Sequence, residues 1–110
     1  MAKIYLSNAF SFNMVSDHHI GSLFFRDMDL KEVKELLSGD FINSLGHADI
    51  ASVVSSQVGL KLEANRINTK LEVGDKLILA QYIGPRLQEG VISLPKGARI
   101  KWILVVLEEK

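Results

Sequence analysis

Three polar islands interrupt an otherwise apolar pattern and hold the side chains best suited to chemistry: Asn8 to Asn13, Gly46-His47, and Arg86 with Glu89. Asn8-Ala9-Phe10-Ser11-Phe12-Asn13 sets amide and hydroxyl groups among two aromatic rings, a composition fit for stacking on a planar base and hydrogen-bonding its edge. The plainer reading, a polar turn beside two core phenylalanines, is the one the sequence alone favours. His47 stands just ahead of a helical pattern, where unpaired backbone N–H groups and the positive end of the helix dipole favour a bound anion. A plain helix cap fits the same position. Gly84-Pro85-Arg86-Leu87-Gln88-Glu89-Gly90 packs a guanidinium and a carboxylate into a tight loop after an apolar strand, a frequent place for ligands. An ion-paired structural turn satisfies that spacing as well.

The chemistry these islands would perform together is metal-free phosphodiester cleavage. In RNA the ribose 2′-hydroxyl is a built-in nucleophile. A protein need only align it with phosphorus, stabilise the charge of the transition state and protonate the departing 5′-oxygen. Arginine suits the charge. Histidine, with an ordinary pKa of about 6.5, suits the proton, a role typically worth roughly a hundred- to ten-thousand-fold in rate. Two other clusters carry less. Asp17-His18-His19 spells the label of a metal-dependent phosphoesterase superfamily, but the chain has one further histidine and no matching set of spaced aspartates, so a solvated loop is the better reading and no metal is expected. Ser52, Ser55 and Ser56 lack a Gly-x-Ser-x-Gly turn and read as helix surface.

The elements that must position these residues follow from periodicity. Lys3 to Ala9 alternates as a first strand that delivers Asn8 at its end. Leu23, Phe24 and Phe25 mark a short strand. Asp29 then caps a helix in a box-like arrangement with Glu32, with Leu30, Val33, Leu36 and Leu37 on one face and Gly39 as its stop. A second helix begins within His47 to Asp49, buries Ile50, Val53, Val54 and Val58, and ends at Gly59. Asn65 to Leu71 alternates as a half-buried strand, Gly74-Asp75 turns, and Lys76 to Ile83 follows as an antiparallel strand apolar on both sides, hence central. Ile100 to Leu107 is a long apolar strand. The expectation is a single α/β domain over residues 1–110, with one mixed, mainly antiparallel sheet of about five strands flanked by helices.

Composition narrows the function classes. Thirteen Lys and Arg balance thirteen Asp and Glu, so no global positive field exists to hold extended DNA or RNA. Any anionic partner is expected to be small and held locally. Cysteine is absent, which excludes disulfides and thiolate catalysis. The N-terminus turns polar too soon for a signal peptide, and the longest wholly apolar run, Trp102 to Leu107, is too short to cross a membrane. A soluble protein is expected, and the absence of cysteine suits an intracellular one. A domain this small often borrows the second wall of a ligand site from another subunit, so a homodimer is expected too.

Tyr5-Leu6-Ser7-Asn8-Ala9-Phe10-Ser11, Ile42-Asn43-Ser44-Leu45-Gly46-His47, Asn65-Arg66 and Arg86-Leu87-Gln88-Glu89-Gly90, in this order, resemble the viral ring nucleases, the type III anti-CRISPR family also found in bacteria and prophages. The resemblance implies a cofactor-free, metal-independent phosphodiesterase that cuts cyclic tetra-adenylate, the second messenger of type III CRISPR complexes, into linear di-adenylates. It also implies a homodimer that buries the ligand between subunits. By this resemblance His47 is the general acid, Arg86 engages the scissile phosphate and Glu89 supports the site. Asn8, Ser11 and Asn13 fall in the ligand-contacting segment, Arg66 is a further polar position, and Gly46 is a spacer that admits phosphate. One departure is a missing helical insertion: Gly90 leads through Pro95-Lys96-Gly97 directly to the last strand, as in the shorter bacterial or phage branch. The alternative is a non-catalytic nucleotide- or nucleic-acid-binding regulator of viral or mobile-element origin, which would bind duplex without cutting the ring.

Overall fold

Parallel and antiparallel pairing meet in one five-stranded sheet of order β2-β5-β4-β1-β3. The structure, a computed structural model, describes residues 2–15, 21–87, 90–91 and 93–109. In chain order the elements are β1 (Ile4–Ser7), β2 (Gly21–Asp27), α1 (Leu30–Leu36), β3 (Ile42–Asn43), α2 (Ala48–Val58), β4 (Lys76–Ile83) and β5 (Arg99–Glu109), with one 3-10 turn at Phe12–Met14. β4 pairs antiparallel with β5 along its whole length, as does β2. β1 runs parallel to both β4 and β3, with Ile4–Ser7 opposite Lys76–Leu79 and Tyr5–Leu6 opposite Ile42–Asn43. The expected mixed sheet with its long antiparallel ladders is present, and the parallel trio β3-β1-β4 brings three carboxyl ends to one edge.

Alternation along the strands feeds two cores. On one face Leu6, Ile78, Ala80, Trp102 and Leu104 pack against Val33 of α1 and Leu37 at its end, and against Ile50, Ala51, Val54 and Val58 of α2. On the other, Tyr5, Leu77, Val105 and Leu107 are covered by Leu71 and by Phe10, Met14 and Val15. Leu6, Leu45, Leu77 and Ile78 are wholly buried, each contributing about 1.5–3 kcal/mol relative to exposure. β4 is therefore apolar on both sides because it is central, as its sequence implies.

Local signals account for the helices. Asp29 caps α1 by accepting the Glu32 N–H at 2.8 Å, whereas the Glu32 carboxylate does not complete a reciprocal box but pairs with Arg26 at 2.7 Å. α1 ends at Leu36 with Leu37 as its C-cap, so Gly39 is not the stop. α2 starts at Ala48 and ends at Val58, stopped by Gly59 as its C-cap, whose φ of 75° is left-handed.

Other expectations are corrected. The first strand ends at Ser7, not Ala9, and Leu23 to Phe25 is the middle of a longer β2. Asn65 to Leu71 forms no strand: Asn65 donates to the Leu45 carbonyl, Leu71 alone makes a bridge, to Val15, and Ile67 is 43% exposed. Both sides of β1 are already paired and β4 lies between β1 and β5, so no central position is left for this alternating segment. β3, at two residues, is too short to show a period. Among the described residues no helix is long and apolar enough to cross a membrane.

Candidate functional site

The carboxyl ends of the parallel strands converge on an open cleft of about 480 Å³, lined by Asn8, His47, Asp49, Ile50, Gln81, Tyr82, Gly84, Arg86 and Leu87. β1 delivers Asn8, β3 leads into Gly46-His47 and the start of α2, and β4 runs out into Gly84 and Arg86. Ligands in open α/β sheets gather at such carboxyl edges. Segments that start 34 or more residues apart thus share one cleft.

A dense hydrogen-bond set holds the stretch that carries His47. Both the N–H and the hydroxyl of Ser44 donate to the Leu6 carbonyl, at 2.8 and 2.9 Å. The Leu45 N–H donates to Asn43 Oδ1 at 3.0 Å, and the amide groups of Asn43 and Asn65 bind the Glu63 and Asn43 carbonyls. The Gly46 N–H donates to Asn8 Oδ1 at 2.8 Å, while Arg66 Nε donates to the Gly46 carbonyl at 3.0 Å. Gly46 thus has both backbone groups engaged and offers a ligand only space. Arg66 acts first on this backbone rather than in the cleft lining.

His47 is the N-cap of α2 in extended geometry (φ −137°, ψ 140°), and its carbonyl accepts the Ala51 N–H at 3.0 Å. Its imidazole makes no capping hydrogen bond. The side chain is exposed, so the capping role that its sequence position allows is not what the ring does. Beside it the first N–H groups of α2 and their dipole favour an anion.

The cleft gathers Asn8, His47 and Arg86, with Gly46 just behind them. Ser11 and Asn13 lie elsewhere. After Asn8 the chain turns to the far face, where Phe10 and Met14 pack, and the Asn13 carbonyl accepts from Lys70 Nζ at 2.6 Å. Glu89, and the Asp17-His18-His19 cluster, lie outside the described residues. Asp49, Gln81 and Tyr82 complete the lining and were not expected there. Gln81 carried a signal, a polar residue within an apolar strand; Tyr82 read simply as strand.

A family model described as STIV B116-like matches residues 4–97. The solved structure of B116 of Sulfolobus turreted icosahedral virus superposes with a TM-score of 0.78 at 27% identity, covering 96% of this chain and 99% of that one. Protein 26 of Sulfolobus islandicus filamentous virus is 34% identical over 68 residues, 61% of this chain and 57% of its own length. The match thus spans little more than half of that relative. Protein ORF116 of Acidianus filamentous virus 1 is 28% identical over 88 residues, 80% of this chain and 75% of its own length. The relatives are viral proteins, and the chain belongs to the STIV B116-like family.

Proposed function

We propose that this protein is a metal-independent ring nuclease that cleaves cyclic tetra-adenylate into linear di-adenylates and so switches off type III CRISPR signalling. The observation that carries the reading is the single cleft shared by His47, Arg86 and Asn8, a proton donor, a fixed positive charge and a neutral amide, at the N-terminus of α2. Arg86 balances phosphate charge as the 2′-oxygen bonds to phosphorus. The P–O5′ bond breaks, the 5′-oxygen takes a proton from the His47 imidazolium, and the 2′-hydroxyl proton passes to solvent. The product carries a 2′,3′-cyclic phosphate. The open cleft fits closure by a second copy, and a four-nucleotide ring has a two-fold axis on which two His47 residues would face opposite phosphates. Glu89 is assigned to the same site through the sequence resemblance.

The test is incubation of the purified protein with cyclic tetra-adenylate in EDTA, followed by chromatography. Linear di-adenylates are expected, with cleavage lost in His47→Ala. An intact ring under these conditions overturns the proposal.

A further inference from the structure

The turn that carries Arg86 is pinned from two sides. Tyr82 lies next to last in β4, its ring packed against the helix-side core, and its hydroxyl donates to the Pro85 carbonyl at 2.5 Å. Gly84, at φ +152°, has no room for a side chain: a Cβ there would sit 2.6 Å from Ala98 Cβ and 3.1 Å from the Tyr82 oxygen. Ala98 is itself held, its N–H donating to the Pro95 carbonyl at 3.0 Å. The chain from Ile83, paired with Arg99, to Pro85 is thus wedged between Ala98 and the phenol. Arg86 is the next residue.

We infer that Tyr82 is a positioning residue for Arg86. Its one hydroxyl proton goes to Pro85, so it has none to donate to a ligand, and its effect passes through the backbone that sets Arg86 at the cleft wall. A long, rotamer-rich side chain binds an anion well only when its root is fixed, because small misplacements of a charged group cost large factors in rate. This inference rests on the cleft being the site of phosphate cleavage.

Tyr82→Phe keeps the ring packing and removes only the tether. In a double-mutant cycle with Arg86→Ala, Tyr82→Phe is expected to lower kcat on cyclic tetra-adenylate by about tenfold. In the Arg86→Ala background it is expected to add no further loss. Equal losses in both backgrounds overturn the inference, because Tyr82 would then act on its own. A second arm needs no turnover. The ¹⁵Nε heteronuclear NOE of Arg86 in the ligand-free protein is expected to fall in Tyr82→Phe and in Gly84→Ala, which disturbs the same turn from the Ala98 side. An unchanged NOE in both variants, with thermal melts confirming folded protein, overturns it. If the wild type leaves the ring intact, the functional reading fails while the NOE still decides the role of Tyr82.

Discussion

Asn8 Oδ1 accepts the N–H of Gly46 at 2.8 Å, joining the end of the first strand to the residue before His47. This bond fixes the amide's orientation, because only the oxygen can accept, and leaves the Nδ2 donors as what Asn8 can offer the cleft it lines. The oxygen thereby serves the scaffold, and the nitrogen is left for the ligand role proposed for Asn8.

Asn8→Asp separates the two roles. The carboxylate keeps an acceptor for Gly46 but replaces a neutral donor with a negative charge beside the proposed phosphate. The thermal midpoint is expected to hold while affinity for cyclic tetra-adenylate drops by at least about tenfold, since like-charge juxtaposition costs more than a lost neutral hydrogen bond. Asn8→Ala is expected to lower both. Calorimetric titration and a melt read the two quantities, and retained affinity in Asn8→Asp would remove Asn8 from the site.

His47 occupies an N-cap without capping, so its ring contributes nothing through that bond to α2. Ser is among the preferred N-cap residues, its hydroxyl satisfying an N–H of the first turn and typically worth about 0.5–2 kcal/mol over a non-capping residue. His47→Ser is expected to raise the unfolding free energy while abolishing ring cleavage, a trade-off characteristic of functional positions. Denaturant unfolding and the cleavage assay test the two halves separately. A variant that is less stable would mean the imidazole is structural.

The chain announced its elements wherever the signal was local. Asp29 ahead of a helical stripe, Gly59 behind one, and the two-sided apolar run of β4 each encode their own outcome. Partnering was not local. Asn65 to Leu71 alternates like a strand yet finds no ladder, because β3 and β4 already occupy the two sides of β1. The site followed the same rule. Asn8, His47 and Arg86 were legible as polar residues at element ends, and the parallel trio gathers them. Ser11 and Asn13, close to Asn8 in sequence, are separated from it by the turn that packs the half-buried Phe10 on the opposite face. Tyr82 was invisible because its ring serves the core and only its hydroxyl serves the loop.

Arg26 and Glu32 tie β2 to α1 through two bonds, at 3.1 and 2.7 Å. The guanidinium, through hydrogen bonding first and charge second, holds the Glu32 carboxyl below its usual pKa. A depressed carboxylate pKa means the folded state binds its proton less readily than the unfolded chain. The stabilisation is therefore complete above the ordinary glutamate range and is lost as pH falls through the lowered value. Both side chains are substantially exposed, so the effect is small and screened by salt. An NMR titration is expected to find Glu32 titrating below a free glutamate, and Arg26→Ala to return it upward. No change on removing Arg26 would dismiss the pair.

Asp75 is a buried carboxylate, 1% exposed, at the foot of the strand pair that builds the cleft. Its Oδ1 accepts the Lys3 N–H at 2.8 Å and its Oδ2 the Glu72 N–H at 2.9 Å, so one side chain staples the start of β1 to the turn before β4. The Lys76 N–H closes the same junction on the Lys3 carbonyl at 2.9 Å. Asp75→Asn is nearly isosteric, but it turns one of two acceptors into a donor facing a backbone N–H. A buried donor left unsatisfied costs about 1–3 kcal/mol, and with so little exposure water offers scant relief. The variant is expected to lose that much in denaturant unfolding, with an unchanged m-value because the surface exposed on unfolding is the same. Since the staple sets where β1 begins and Asn8 follows where β1 ends, ring cleavage in the folded fraction is expected to persist. An Asp75→Asn protein as stable as the wild type would mean that the two backbone groups find other partners and that the carboxylate is not what joins β1 to β4.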